Sequence, residues 1–531
     1  MIQLAAPSRQ PEQKAQFLEW TIGLILLGLA IVFRTAYLDE FPSFIHNDEA
    51  AAAIHISPPF LRPNPDSPFY GFNNYGGHAN FGAWLTSLSL RMFGGQTLWA
   101  IRMGSMVCGV LSLALFALCI RGWLGSQTAL LFLLVAAPFH LHLHYSRTGF
   151  HYIQAATFSA LVAFLFGRLV AKPSVPNASA LGIGLGFAVL VYSATHVLPG
   201  VVGVALLALL VSDNFKARFA GKRLKAIILL GSAILGGALL AIGRHLWFIL
   251  QAGRFQSRLE SQFIFEPGSA QRLQEGASYQ AALIKIFWES LHKTVRFFYQ
   301  GDSAVQYGVR GAPLEYVSYT LAGVGVLALL GYSGRRDPVA VFMVVLGAAT
   351  FLGSALMVEG NFSPHLVVFS LLIPLCIAVG FNVACRFLRM TSPIWVAAIA
   401  LVAFVPWTKW NYGVLLDTDS RKRTIDTFTQ HLPIDRDGVR TLLNLTPQYA
   451  DFGESHYKLR YPHGTGRKEN AINPGQQALV LLSAKECPCV VLVERARGEE
   501  ISKVLSAEGK SFRKFSFEKS DTDVFYLDQM G

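Results

Sequence analysis

The residues best suited to do chemistry in this chain are an adjacent acid pair, Asp48-Glu49, in the stretch from Phe41 to Ala53. The pair follows directly on the first long apolar segment, where the chain leaves a membrane. A carboxylate is costly to hold near lipid, so an acid at the membrane edge marks a functional site by default. Asn47 is a good N-cap and Ala50 to Ala53 are strong helix formers, which predicts a short helix with both acids in its first turn. Neighbouring helical residues point about 100° apart, so at most one of the two faces a given substrate. The competing use of the pair is to complement the helix dipole.

Further polar groups recur between the apolar segments. Tyr75-Gly-Gly-His78-Ala-Asn80 is a flexible polar approach in which His78 binds phosphate or metal, or sits in an exposed turn. After it, Phe81, Trp84, Leu85, Leu88 and Met92 keep helical spacing and predict a second helix lying in the interface. His140 and His144 stand one turn apart, a spacing compatible with a metal, although no partner acid is evident. Arg147, with His151 close behind, suits a fixed anion such as a lipid phosphate; snorkelling to the interface is the other reading. Asp302, Gln306 and Tyr307 form a short polar cluster among aromatic residues, suited to sugar stacking and hydroxyl binding. His365 opens a later helix.

These groups need a scaffold. The chain has 531 residues, 52% of them hydrophobic and only 15% charged, with a mean hydropathy of +0.40. Soluble domains carry about a quarter charged residues, so this is a polytopic membrane protein. A spanning helix needs about 20 apolar residues, which gives about eleven spans near 17–38, 97–120, 127–144, 152–171, 180–197, 199–212, 226–250, 314–332, 338–357, 365–382 and 393–411. The fold class expected is an all-α membrane bundle with a small C-terminal soluble α/β domain. The formal charge of +12 has no basic run interleaved with aromatics, so nucleic acid is not an expected partner. Much of the excess sits in alternate short loops, at Arg121, Lys172, Lys216 to Lys225, Arg335 and Arg386, which the positive-inside rule assigns to the cytoplasm. The first-loop acids, the loops 39–96 and 251–313 and the tail then lie outside. The polar start leads into an apolar run longer than a signal segment, which predicts a retained anchor. The hydropathy pattern has no internal repeat, which disfavours an inverted-repeat transporter.

The domain division expected is 1–412 for the membrane bundle and 413–531 for an extracytoplasmic α/β domain. In the latter, strand-like runs appear at 478–482, 490–494 and 523–527, and a helical pattern at 499–505. Of the six cysteines, Cys108, Cys119, Cys376 and Cys385 read as small core residues. Cys487 and Cys489 are too close for an easy disulfide.

Arg34, Leu38, Pro42 and Asp48-Glu49-Ala50 together resemble the first-loop signature of the GT-C class of integral-membrane glycosyltransferases, which includes protein O-mannosyltransferases and the bacterial aminoarabinose transferase. Leu98 to Arg102, Tyr145-Ser-Arg147, Gly301-Asp302 and Pro364-His365 are similar to bacterial members, and the likeness covers most of 17–411. It departs from them at Tyr192-Ser-Ala-Thr-His196, where a Tyr-Thr-Tyr-like stretch followed by Arg is usual, and at Val367, Val368 and Phe369, where an Arg is usual. The resemblance implies a bacterial inner-membrane enzyme with its site on the periplasmic or exterior face. It would move a sugar from a polyprenyl-phosphate donor to a glycan, lipid or protein acceptor with inversion. Asp48 would be the catalytic base and Glu49 its helper. Arg102, Arg147 and His365 would answer the phosphate charge, with His78, Asn80, His151, Tyr192 and His196 around the substrate. A divalent metal ion is an optional cofactor that no visible ligand set demands. The alternatives are an O-antigen-ligase-like transferase with a pyrophosphate-linked donor, and a lipid or sugar transporter.

Overall fold

The computed structural model describes residues 13–38, 41–42, 49, 52–61, 67–72, 78–95, 97–149, 151–252, 279–301, 315–357, 363–390, 393–423, 441–444, 465–468, 489–507, 512–516 and 522–527. Asp48, Asp302, Gln306 and Tyr307, and the strand expected at 478–482, lie outside these residues.

Among the described residues the bundle consists of α1 (Gln13–Thr35), α2 (Asn80–Met92), α3 (Leu98–Leu124), α4 (Ser126–Ala136), α5 (His140–Arg147), α6 (Tyr152–Ala171), α7 (Val175–Val191), α8 (Leu198–Val211), α9 (Asp213–Arg218), α10 (Arg223–Ala252), α11 (Tyr279–Gln300), α12 (Tyr316–Gly334), α13 (Pro338–Ala355), α14 (Phe369–Phe387) and α15 (Pro393–Arg423). Among the described residues nine helical segments are long and apolar enough to cross a membrane, α8 counted with the 3-10 turn from Ser193; α4 and α5, bent by 65°, form a broken span or a re-entrant loop, and α7 is a shorter apolar helix. Apolar helices occupy all eleven expected places, but nine of them, or ten with the bent pair, are long and apolar enough to span; the fifth, α7, is too short. The third is the bent pair, broken at Pro138, which has no N–H to continue the ladder. The fifth runs 175–191 rather than 180–197 and ends in a short 3-10 turn, Ser193–Thr195. The last, α15, runs on to Arg423, so the expected boundary at 412 falls inside a helix.

Local sequence sets several starts. Thr97 caps α3 by accepting from the Ala100 N–H, and Asp337 caps α13 by accepting from Val339 and Ala340, with Pro338 in the first turn. Such caps supply partners to N–H groups that the helix itself leaves open. The closest helix pairs rest on glycine. A Cβ on Gly182 of α7 would run into the Ile234 carbonyl of α10, and one on Gly237 of α10 into the Ser179 carbonyl. Gly325 of α12 and Gly380 of α14 stand in the same relation to the facing backbone. Small residues let membrane helices approach where lipid leaves no hydrophobic drive to associate.

The tail contains strands β1 (Thr441–Asn444), β2 (Thr465–Lys468), β3 (Cys489–Glu494), β4 (Phe512–Ser516) and β5 (Thr522–Leu527), with α16 (Arg495–Ala507) between β3 and β4. They form one sheet in the order β2-β1-β3-β5-β4. The inner strand β3 pairs parallel with β1 and antiparallel with β5, Val491 facing Phe525. Two of the expected strands and the expected helix are present; β1, β2 and β4 are additions.

Candidate functional site

The end of α1 is where the bundle gathers its buried cations. Arg34, Arg102 and Arg147 come from α1, α3 and α5, and none is more than 3% exposed. A helix end leaves carbonyl groups without partners, and here guanidinium groups take them. Arg147 donates from NH1 to the Phe33 carbonyl at 2.7 Å and from NH2 to Ala36 at 2.6 Å and Phe41 at 2.8 Å. Arg102 donates from NH1 to the Leu38 and Pro42 carbonyls, each at 2.9 Å. Arg34 donates to its own Ala30 carbonyl at 2.9 Å and to Ala137, at the break between α4 and α5, at 3.0 Å.

Glu49 completes this frame. Its Oε1 accepts from Arg102 Nε at 2.8 Å and from the Gly149 N–H at 2.6 Å, and its Oε2 accepts from Arg102 NH2 at 3.3 Å. The carboxylate is fully buried. A forked pair of this kind fixes distance and angle together. The approach needs glycine at 149, because a Cβ there would lie 2.7 Å from Ile101 Cγ2 and 2.9 Å from Glu49 Cγ. Glu49 and Arg102 are therefore tied to each other, and Arg147 to the chain that precedes them. In these places the two arginines hold the first loop against α3 and α5 rather than standing open to a phosphate.

His142 links the same frame to the bend. Its Nδ1 accepts from Arg34 NH2 at 2.8 Å, which leaves Nε2–H to donate to Ser112 Oγ at 2.9 Å. That tautomer follows from the network. His140 turns away: its Nδ1 lies 2.7 Å from Asn411 Oδ1 on α15. Among the described residues no three His, Cys, Asp or Glu side chains come together as a metal site.

A second group of residues, scattered in sequence, does assemble. His78 packs 5.6 Å from His151 and 5.3 Å from Tyr192, ring centre to ring centre. His151 lies 5.3 Å and Tyr152 5.1 Å from Tyr192. His365 stacks on Tyr192 at 6.1 Å with its plane 16° away. The first loop, α6, the end of α7 and the turn before α14 thus converge on Tyr192. Four of these residues were expected at the site; Tyr152 was not, and its only signal was its place beside His151. A small chamber lined by Ser57, His78, Thr86 and His151 adjoins the group.

Asn80 and His196 serve the framework in this structure. Asn80 Nδ2 donates to the Tyr70 carbonyl at 2.9 Å, which anchors the loop ahead of α2. His196 Nε2 lies 3.0 Å from the Val189 carbonyl. Helix α2 is not a surface helix: Phe81, Ala83, Thr86, Ser87 and Leu90 are buried. Of the short helix expected after Asn47, Glu49 is α-helical, its neighbours 47–48 and 50–51 lie outside the described residues, and a π-helical turn, Ala52–Ile56, and a 3-10 turn follow.

Beside this group a largely apolar groove of about 720 Å³ runs between α12, α13 and α14, lined by Tyr319, Val326, Met343, Gly347, Phe369 and Cys376 among others. Phe298 of α11 closes one side and packs 5.1 Å from Phe369. His365, in the 3-10 turn Ser363–Leu366, lies four residues before Phe369, so the ring cluster stands at the start of α14, where Phe369 lines the groove.

Residues 77–240 match the family model of dolichyl-phosphate-mannose-protein mannosyltransferases. No curated protein sequence matches the chain significantly. Among solved structures, ArnT from Cupriavidus metallidurans bound to undecaprenyl phosphate is 12% identical, with 97% of this chain and 98% of that one covered at a TM-score of 0.52. Archaeal oligosaccharyltransferase AglB from Archaeoglobus fulgidus, in complex with an inhibitory peptide and a dolichol-phosphate, is 12% identical, with 97% and 74% covered at 0.50. At such identities the likeness speaks for the fold. The partial match to the mannosyltransferase family and the likeness of fold agree: the chain is similar to integral-membrane glycosyltransferases of the GT-C class, as in glycosyltransferase family 39.

Proposed function

We propose that this protein is an inverting transferase that takes a sugar from a polyprenyl-phosphate donor and delivers it to an acceptor hydroxyl or amine at the outer face of the membrane. One observation carries the reading: Phe369 lines an apolar groove of about 720 Å³, and four residues before it His365 stacks on Tyr192, within a cluster of imidazoles and phenols. A long isoprenoid tail needs an apolar trough, and its phosphate needs donors at the trough's end. ArnT bound to undecaprenyl phosphate and AglB in complex with a dolichol-phosphate have the same fold and support the choice of donor class.

In this reading the donor phosphate sits among His78, His151, Tyr192 and His365. Arg34, Arg102 and Arg147 stand behind, three buried cations whose positive field favours an anion. The acceptor O–H loses its proton to the Asp48 carboxylate as its oxygen bonds to the anomeric carbon. The bond from that carbon to the phosphate oxygen breaks, and polyprenyl phosphate leaves with the electron pair. A single displacement inverts the centre. The leaving group is already an anion, so it needs charge neutralisation more than a proton. Asp302, Gln306 and Tyr307 are assigned to the sugar. The tail sheet forms an extracytoplasmic α/β domain beside the acceptor, and the protein sits in a bacterial inner membrane. No metal is assigned to the reaction.

The test is transfer of label from a panel of radiolabelled polyprenyl-monophosphate and polyprenyl-pyrophosphate sugars to membrane extract by the purified protein, with and without EDTA. Transfer from one monophosphate donor in both conditions is the expected result. Transfer only from a pyrophosphate-linked donor, or none from either, overturns the reading. Loss in EDTA with recovery on adding a divalent ion overturns the metal-free assignment alone.

A further inference from the structure

Helix α11 has three distinct faces, and the reaction proposed above calls on none of them directly. Ala282, Ile286, Ser290, Thr294 and Phe297 are buried, on the side that packs against α13. Ile284, Trp288, Val295 and Tyr299 are 57%, 60%, 43% and 49% exposed. Their spacing of four, seven and four residues sets them in one stripe. Lys285, Glu289, His292, Lys293 and Arg296 are exposed as well and occupy the remaining arc, beside that stripe.

Bulk water does not account for an exposed row of two aromatic and two branched aliphatic side chains. The hydrocarbon interior does not account for the basic row beside it. The two rows side by side match the edge of a bilayer, with the acyl boundary for one and headgroups for the other. Lys285, Lys293 and Arg296 outnumber Glu289, which selects anionic headgroups. The end of the same helix reaches the groove. Phe298 lines it, packs on Phe369 and Phe351, and its carbonyl accepts from the Tyr319 hydroxyl.

We propose that α11 is a docking surface for anionic lipid headgroups, seated flat in the membrane interface, and that this seat holds Phe298 at the side of the groove. The occupant is bilayer lipid because the apolar row is flanked by the bundle on one side and by cations on the other, so the rows change character in the order in which a bilayer does. Lateral entry of a lipid tail into the groove would then pass beside α11, and lipid charge would tune it.

The test places the whole protein in nanodiscs of phosphatidylcholine, alone or with phosphatidylglycerol. A fluorophore is attached at Trp288→Cys or, one residue on, at Glu289→Cys, with the labelled native protein as blank. Quenching is read from a nitroxide-bearing lipid and from aqueous iodide. The expected result is a 288 label quenched by lipid and sheltered from iodide, and a 289 label with the reverse pattern. Lipid quenching at 288 should rise with phosphatidylglycerol. Exchanging Lys285, Lys293 and Arg296 for Gln should remove about half or more of that rise. Equal access of iodide to both labels overturns the proposal, and so does a 288 label shielded from both quenchers, which would mean a protein partner. Lipid quenching at 288 that ignores both phosphatidylglycerol and the charge variant overturns the anionic preference.

Discussion

The two halves of the site are held together in opposite ways. On the carboxylate side, Glu49, Arg102, Arg147 and the Gly149 backbone are joined by charged hydrogen bonds of 2.6 to 3.3 Å, nearly all of them to main-chain carbonyls or to one another. On the side proposed for the phosphate, His78, His151, Tyr152, Tyr192 and His365 meet ring against ring at 4.8 to 6.1 Å. A charged network in a dry interior is strong only when complete, because any member left alone carries its full desolvation cost. Ring packing has shallower minima and tolerates small shifts. The first half therefore sets where the first loop lies, and the second is the part that can adjust around a ligand.

If that contrast is right, the carboxylate side should fail in stability and the phosphate side in binding. The largest effect should come from Glu49→Ala, which strands the buried Arg102 guanidinium and should cost about 3–5 kcal/mol of stability. Thermal unfolding in detergent would read this, and a melting point within a degree or two of wild type would break the comparison. Arg147→Ala comes next. It removes the donor from several carbonyls at the end of α1, for a loss of about 2–3 kcal/mol; if donor binding fell while stability held, Arg147 would return to the role of phosphate clamp. Gly149→Ala forces a methyl against Ile101 and Glu49 and should cost about 1–3 kcal/mol, with the same assay as readout. Tyr192→Phe should change stability by less than about 1 kcal/mol, since the ring contacts stay. It should weaken polyprenyl-phosphate binding in an equilibrium assay, and unchanged binding would remove Tyr192 from the phosphate.

The bundle was plain in the sequence, because a run of about 20 apolar residues fits little besides a membrane span. His78, His151, Tyr192 and His365 were legible too, as separate weak signals, and only the fold brings them to one place. What Arg102 and Arg147 do was not legible. An arginine at a membrane edge has the same local sequence whether its N–H groups meet a ligand or the carbonyls freed at a helix end. Arg34 was legible only through the family resemblance; the bonds it makes to Ala137 and His142 depend on a break at Pro138 that brings α5 back to α1. The strands β1, β2 and β4 are four or five residues long, and Thr-Gly-Arg-Lys in β2 has no apolar alternation to betray it.

The central claim is that the first loop, framed by Glu49 and its arginines, offers Asp48 as the base while the ring cluster holds the donor. Its most direct test is Asp48→Asn measured for both donor binding and label transfer under single-turnover conditions. The account predicts binding close to wild type and transfer lowered by about 10²-fold or more. Transfer at the wild-type rate would contradict it and move the base elsewhere.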